Sequence, residues 1–262
     1  MQTIAFRLET GDKNYGEVYL PDNFTGKLPV IIYCHGWGGN RQLGPMAKVL
    51  RDRAMQLNYA FVAFDFFGCG ETGGNYSFMT YTRWKENLSE IFAWCEAQPF
   101  ADKNKIGCYS VSSGTTAALR FGAESHRLAF IVSVATAISI HIGMQPQGGP
   151  ANILANHANE LLAGEKIELF GTMFGLDFFV DTVSRAPVHT IKEIQCPVLF
   201  LQGLQDNAFR CSDARLAYDI MRRAGLPGKL IEYSEGGHGL DENGVAEQAT
   251  EDLFRWLTDI QF

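Results

Sequence analysis

The sequence predicts a single α/β domain, built on a mostly parallel β-sheet with helices on both faces. Two observations support this prediction. Short apolar runs, several ending in glycine or aspartate, alternate with segments of helical spacing along most of the chain. The length of 262 residues suits one mid-sized domain of this class, and 46% apolar with 19% charged residues is the composition of an ordinary globular protein.

The strand pattern opens with two short segments and continues with buried runs. TIAFRLE and GEVYLP predict two antiparallel strands, joined by a turn over residues 12–15. The later strands are nearly continuous apolar runs, as expected where a sheet is covered on both faces. These runs cover residues 28–36, 59–65, 105–110, 129–136, 196–203 and 229–235.

Helical spacing fills most of the segments between these strands. Between the first two buried runs, for example, Leu43, Met46, Leu50 and Ala54 recur at intervals of three or four residues. The pattern predicts helices over residues 42–57, 80–97, 113–123, 212–224 and 244–259.

The alternation breaks between residues 137 and 190. A glycine–proline cluster, Gln145 to Pro150, precedes ANILANHANELLA and the phenylalanine-rich LFGTMFGLDFFVD. A segment of this length is too long for an ordinary crossover. We therefore expect a core of residues 1–136 and 191–262, with residues 137–190 inserted as a helical cap over the sheet edge where ligands bind.

Composition argues against several classes of function. With a formal net charge of −7 and no Lys/Arg stripe, nucleic acid is not expected as a partner. The chain shows neither a secretory signal nor an apolar stretch of about 20 residues, so a cytoplasmic protein without a membrane partner is expected. The six cysteines form no CxxC pair and are expected to be reduced. No His/Asp/Glu cluster has metal-ligand spacing, so no metal is expected.

A candidate nucleophile lies where the strand at 105–110 meets the next helix. The frame is Ser110-Val111-Ser112-Ser113-Gly114. A tight strand-to-helix turn that exposes one hydroxyl needs small residues two positions before and after it. Only Ser112 satisfies this requirement, because Ser113 would place Val111 in the cramped position. The alternative is an ordinary junction whose serines cap the helix.

A candidate oxyanion hole lies in YCHGWGG, at the end of the strand expected at the centre of the sheet. In this topology, one backbone N–H after that strand and one after the nucleophile bind the developing oxyanion. These donors would be Trp37 and Ser113. The alternative is a flexible glycine turn with a packed tryptophan, and His35 is interpreted as structural.

A candidate acid and base follow the last two strands. Asp206 comes three residues after Gly203, which ends a buried strand, and His238 is framed by glycines in GGHG. Taken singly, each fits a loop residue equally well. Together, Ser112, Asp206 and His238 occur in the order Ser…Asp…His, each just past a strand, which predicts a catalytic triad. The rival aspartates are Asp177, Asp181 and Asp213; the other histidines, His126, His141, His157 and His189, lack a comparable frame.

The motifs HGWGG, DFFGCGETGG, SVSSG, GLQD and GGHG resemble those of the α/β-hydrolase superfamily. The likeness is greatest to its esterase, dienelactone-hydrolase-like and serine-aminopeptidase-like branch. The resemblance implies an eight-stranded, mostly parallel sheet and a hydrolase without a cofactor. Ser110 departs from the family pattern, which has glycine at that position.

The expected function is hydrolysis of a small-molecule carboxylic ester through an acyl-enzyme on Ser112, the acyl group being aryl, hydroxycinnamoyl or of medium length. Expected pocket residues are Trp37, Phe67, Phe174 and Phe178. Three alternatives stay open: a thioesterase, a peptidase that binds a charged terminus through Glu160 or Glu165, and a non-catalytic binding protein on the same fold. A homodimer is also left open.

Overall fold

The protein is built around one eight-stranded sheet. The structure, a computed structural model, describes residues 1–139, 149–242 and 244–261. The strands of the sheet are β1 Gln2–Arg7, β2 Tyr15–Leu20, β3 Leu28–Cys34, β4 Ala60–Phe64, β5 Ala101–Val111, β6 Ile131–Val134, β9 Val198–Gly203 and β10 Gly228–Tyr233. They lie in the order β1-β2-β4-β3-β5-β6-β9-β10; β2 runs antiparallel to β1 and β4, and every other pair is parallel. This confirms the mostly parallel eight-stranded sheet.

Helices cover both faces of the sheet, and a separate apolar cluster fills each side. The helix α2 shows why the sequence adopts this structure: Thr80 caps it by accepting the N–H of Arg83, and its apolar residues from Trp84 to Cys95 share one buried face. No helix in the described part of the chain is both long and apolar enough to cross a membrane. The core helices are α1 Pro45–Gln56, α2 Tyr81–Ala97, α3 Ser113–Ser125, α7 Cys211–Arg223 and α8 Val245–Asp259.

The segment between β6 and β9 contains strands as well as the expected helices. An antiparallel hairpin that turns at Phe170 and Gly171 precedes its last α-helix, and the sequence pattern did not indicate these strands. Residues 140–148, with His141 and most of the glycine–proline cluster, lie outside the described residues. The described elements are α4 Pro150–Asn156, α5 Ala158–Leu162, β7 Ile167–Leu169, β8 Thr172–Phe174 and α6 Leu176–Ser184.

A buried ion pair fastens this segment to the core. The Arg120 guanidinium, on α3, lies 3.0 Å from the carboxylate of Asp181, on α6, and Arg120 is only 3% exposed. The same carboxylate accepts the N–H of Thr82 at 3.1 Å. Because removing one partner would leave an uncompensated buried charge, this pair fixes α6 against the helix that begins beside Ser112.

Candidate active site

The turn between β5 and α3 consists of Ser112 alone. This residue has φ 54° and ψ −126°, a combination that non-glycine residues rarely adopt. The surrounding backbone holds it there: its N–H donates to the Val134 carbonyl at 2.9 Å, and its own carbonyl accepts the N–H of Thr115 at 2.9 Å. The strained turn places the Ser112 side chain at the N-terminal end of α3, as the sequence frame predicted.

The small residues on either side of the turn have distinct physical reasons. A Cβ on Gly114 would lie 2.4 Å from the Cys34 carbonyl oxygen and 2.5 Å from that of His35, so only glycine fits. Ser110 replaces the glycine of the family pattern without leaving a polar group unpaired. Its buried hydroxyl donates to the Val132 carbonyl on the neighbouring strand at 2.8 Å.

His35 shapes the loop after β3. Burial lowers its pKa to about 4, so the ring is neutral at neutral pH. Its Nε2 accepts the N–H of Phe66 at 3.1 Å, which leaves Nδ1 to donate to the Gly36 carbonyl at 2.9 Å. The ring therefore holds the two loops together, in agreement with the structural role expected from the sequence.

Two backbone donors beside Ser112 are free to bind an anion. Within the described part of the chain, the N–H groups of Trp37 and Ser113 have no protein acceptor, whereas the next N–H, that of Gly38, donates to the Tyr76 hydroxyl at 3.1 Å. The Ser113 hydroxyl accepts a hydrogen bond from Tyr81 at 3.2 Å. Trp37 and Ser113 both line the cavity that contains Ser112, the arrangement that an oxyanion hole requires.

An ion pair braces the loop that carries Trp37. The Asp65 carboxylate is fully buried and accepts the backbone N–H of Arg41 at 2.6 Å and its guanidinium at 2.8 Å. It also accepts the N–H of Glu71 at 2.8 Å. The glycine-rich loop 65–74 is thereby tied to residues just beyond HGWGG. Arg41 was not expected at the site, because no local sequence pattern marks an arginine as the partner of an aspartate 24 residues away.

Asp206 and His238 form a hydrogen-bonded pair. The His238 Nδ1 lies 2.9 and 3.0 Å from the two carboxylate oxygens. Burial acts to raise the pKa of Asp206, but hydrogen bonds from His238 and from the N–H groups of Phe209 and Ala208 outweigh it, so the pKa is lowered. The carboxyl is therefore ionised at neutral pH and holds the Nδ1–H tautomer, leaving Nε2 as the basic nitrogen.

Close backbone contact brings the two loops of this pair together. A Cβ on Gly203 would lie 2.3 Å from the carbonyl oxygens of both Gly236 and Gly237, so the loops after β9 and β10 touch there. Gln202, fully buried, donates through Nε2 to the second Asp206 oxygen at 3.2 Å. Gln202 was not among the site residues expected from the sequence, although it is the one polar side chain in the apolar run VLFLQG.

One cavity of about 140 Å³ contains both the serine and the histidine. Among the described residues no hydrogen bond joins the Ser112 hydroxyl to His238, and such contacts often tighten only when substrate binds. The Phe209 ring stacks on the His238 ring with centroids 5.2 Å apart. The lining residues are Trp37, Ser112, Ser113, Phe170, Ala208, Phe209 and His238.

Of the four expected pocket residues, Trp37 alone lines this cavity. The rings of Phe174 and Phe178 pack against Trp37 at 5.3 and 5.9 Å and lie in the buried core. Phe67 lies elsewhere, with the Arg83 guanidinium 3.3 Å from its ring centroid. The other two aromatic lining residues are Phe170, from the phenylalanine-rich stretch of the expected cap, and Phe209, which was not expected from the sequence.

The rival aspartates, and those rival histidines that the structure describes, lie outside the cavity. Asp181 pairs with Arg120, Asp213 accepts the N–H groups of residues 138–139, and Asp177 is exposed. His157 lies 3.6 Å from Glu160, one of the acids considered for a peptidase. Over residues 1–139, 149–242 and 244–261, no three His, Cys, Asp or Glu side chains are grouped so that they could hold a metal ion.

The fold and the site define a hydrolase of the α/β-hydrolase superfamily, and solved structures agree. Est1E from Butyrivibrio proteoclasticus with ferulic acid bound has a TM-score of 0.75 at 16% identity, over 94% of this chain and 95% of that one. DcsB in complex with its substrate analogue has a TM-score of 0.76 at 16% identity, over 98% of each chain. A putative hydrolase from Agrobacterium vitis S4 has a TM-score of 0.75 at 20% identity, over 97% of this chain and 98% of that one.

Sequence comparison gives the family within this class. The profile of the X-Pro dipeptidyl-peptidase (S15) family matches residues 11–165, more than half of the chain, and the protein belongs to that family. An Escherichia coli relative, described as an uncharacterized 31.7 kDa protein in the traX-finO intergenic region, is 23% identical over 245 residues. The match covers 81% of this chain and 84% of the relative.

Proposed function

We propose that the protein is a serine hydrolase that cleaves carboxylic esters with a neutral, apolar acyl group, either aryl (hydroxycinnamoyl included) or of medium chain length. The observation that carries the proposal is the cavity itself. It holds the Ser112 hydroxyl and the His238 ring among the rings of Trp37, Phe170 and Phe209, and no acidic side chain in the described part of the chain lines it. Such a lining favours an uncharged acyl group over a charged one.

In the proposed reaction, the Ser112 Oγ attacks the ester carbonyl while His238 Nε2 takes its proton. Asp206 stabilises the imidazolium, and the N–H groups of Trp37 and Ser113 bind the oxyanion, each worth about 3 kcal/mol. Collapse of the tetrahedral intermediate breaks the ester C–O bond, and the alcohol leaves with the proton from His238. Water, deprotonated by His238, then attacks the acyl-enzyme and releases the acid and the serine.

Family membership makes a dipeptidyl-peptidase the second candidate, acting through the same three residues. A dipeptidyl-peptidase must neutralise the free amine of its substrate, which calls for an acid at the cavity. Glu160 is engaged with His157, and Glu165 is exposed. Residues 140–148 contain neither aspartate nor glutamate in their sequence.

The ferulic acid bound to Est1E is an aromatic acid of the kind that the proposed ester reaction would release.

Two sets of substrates test the proposal: esters that differ in the acyl group, and a pair of amides that differ in whether the amine is free. p-Nitrophenyl acetate, butyrate and octanoate and a hydroxycinnamate ester should all be hydrolysed. Comparing kcat/KM for Ala-Pro-p-nitroanilide and its N-acetyl derivative tests for dipeptidyl-peptidase activity. A dipeptidyl-peptidase should prefer the substrate with the free amine by about 100-fold or more. Such a preference would contradict ester hydrolysis as the main activity. A fluorophosphonate probe should label wild-type protein on Ser112, and absence of labelling would indicate a non-catalytic binding protein.

A further inference from the structure

The β7–β8 hairpin turns through a phenylalanine in a conformation that phenylalanine avoids. The loop consists of Phe170 and Gly171, because Leu169 pairs with Thr172. Both loop residues have positive φ, 52° and 76°, the pattern of the two-residue turns that strongly prefer Asn-Gly or Gly-Gly. A bulky side chain at positive φ is strained by contact between its Cβ and the backbone.

The position of the Phe170 ring suggests why this strain persists. The ring lines the catalytic cavity together with Ser112 and His238, and it meets the Trp37 ring edge-on with centroids 5.2 Å apart. Phe170 is nevertheless 37% exposed, so much of the ring contributes nothing to the apolar core. Residues held in a strained backbone conformation cluster at active sites and ligand-binding sites. Because burial of the Phe170 ring stabilises the fold only partly, a role at the cavity is the better explanation for its conformation.

Three other phenylalanines near the cavity make contacts that hold the core or the Asp206–His238 pair in place. Phe174 and Phe178 stack at 4.1 Å in the buried core. Phe209 stacks on His238, and its N–H donates to the Asp206 carboxylate at 2.9 Å. Among the described residues, Phe170 is the one lining side chain that comes from a two-residue turn, and that turn contains neither a residue of the candidate triad nor a candidate oxyanion donor.

We infer that Phe170 is a specificity-determining residue whose ring limits the size of the acyl group beside Ser112. The inference rests on the proposed ester hydrolysis and deepens it. In a cavity of about 140 Å³, one aromatic side chain occupies a large share of the wall. If the ring limits the acyl group, an eight-carbon acyl chain on Ser112 would meet it, whereas the two carbons of an acetyl group would be affected much less.

The test replaces Phe170 with asparagine, the residue that the turn prefers, and with glycine as a second variant. The ratio of kcat/KM for p-nitrophenyl octanoate to that for the acetate should rise about tenfold or more in both variants. The melting temperature should be retained or raised, because the loss of turn strain offsets the loss of a partly exposed ring.

Phe78→Asn is the matched control. That ring is 59% exposed and contacts Lys166 instead of the cavity, so its removal should leave the octanoate-to-acetate ratio unchanged. An unchanged ratio in active Phe170→Asn and Phe170→Gly proteins would overturn this inference alone. If the melting temperature of both Phe170 variants fell by about 6 °C or more, Phe170 would have a packing role instead. Wild-type protein that hydrolyses no ester would overturn the proposed function, and this inference with it.

Discussion

Ser112→Ala is expected to lower kcat/KM for p-nitrophenyl butyrate by about 10⁴-fold or more. The residue remaining at the turn cannot form the acyl-enzyme, so only water attack assisted by the Trp37 and Ser113 N–H groups is left. Alanine keeps a Cβ of the same geometry, so the elbow and the fold should persist. Steady-state kinetics, with circular dichroism to confirm folding, measure the effect.

Ser110→Ala is the control for this substitution. It also removes one serine hydroxyl from the same motif, and that hydroxyl bonds the Val132 carbonyl away from the reaction. Its kcat/KM should stay within about tenfold of wild type, with a loss of stability of about 1 kcal/mol for the missing hydrogen bond. Near-wild-type turnover by Ser112→Ala would refute the nucleophile assignment.

Asp206→Asn is expected to lower kcat by about 10⁴-fold with little change in KM. The N–H groups of Ala208 and Phe209 should keep the amide carbonyl where the first carboxylate oxygen now lies. The amide NH₂ is then directed toward His238 and Gln202, which are themselves donors to Asp206. To avoid this clash, the His238 ring must carry its proton on Nε2, where it cannot accept the proton of Ser112.

Asp177→Asn makes the same chemical change at an exposed aspartate outside the cavity and should leave kcat unchanged. Measuring kcat of both variants from about pH 5 to 10, with circular dichroism to confirm folding, distinguishes the loss of the catalytic base from unfolding. If Asp206→Asn retained kcat within tenfold of wild type, Asp206 would not be the group that orients the base.

The parts of the fold and site that the sequence predicts depend on short local patterns. A buried strand is recognisable as an apolar run without knowledge of its neighbours in the sheet. The observed strands and helices of the core accordingly fall close to the expected ranges. The turn at Ser112 is recognisable because its steric requirements fall on residues two positions away, as Gly114 shows. Parallel strands bring their carboxyl ends to one edge, so the residues that follow them can be expected to meet there.

The cavity wall depends on contacts that no local pattern specifies. Phe67 and Phe170 are both phenylalanines beside glycines, yet one packs under Arg83 and the other reaches the cavity. The difference comes from the pairing register of the β7–β8 hairpin, which places Phe170 in its turn. Partners such as Arg41 of Asp65 are likewise fixed only when distant loops pack together.

Trapping the covalent intermediate tests the central claim most directly. Wild-type protein mixed with p-nitrophenyl butyrate, quenched in acid during turnover and digested, should yield one butyrylated peptide with the modification on Ser112. The same treatment of Ser112→Ala should yield none. A butyryl group on any other residue, or full turnover with no acylated peptide at any quench time, would contradict the account.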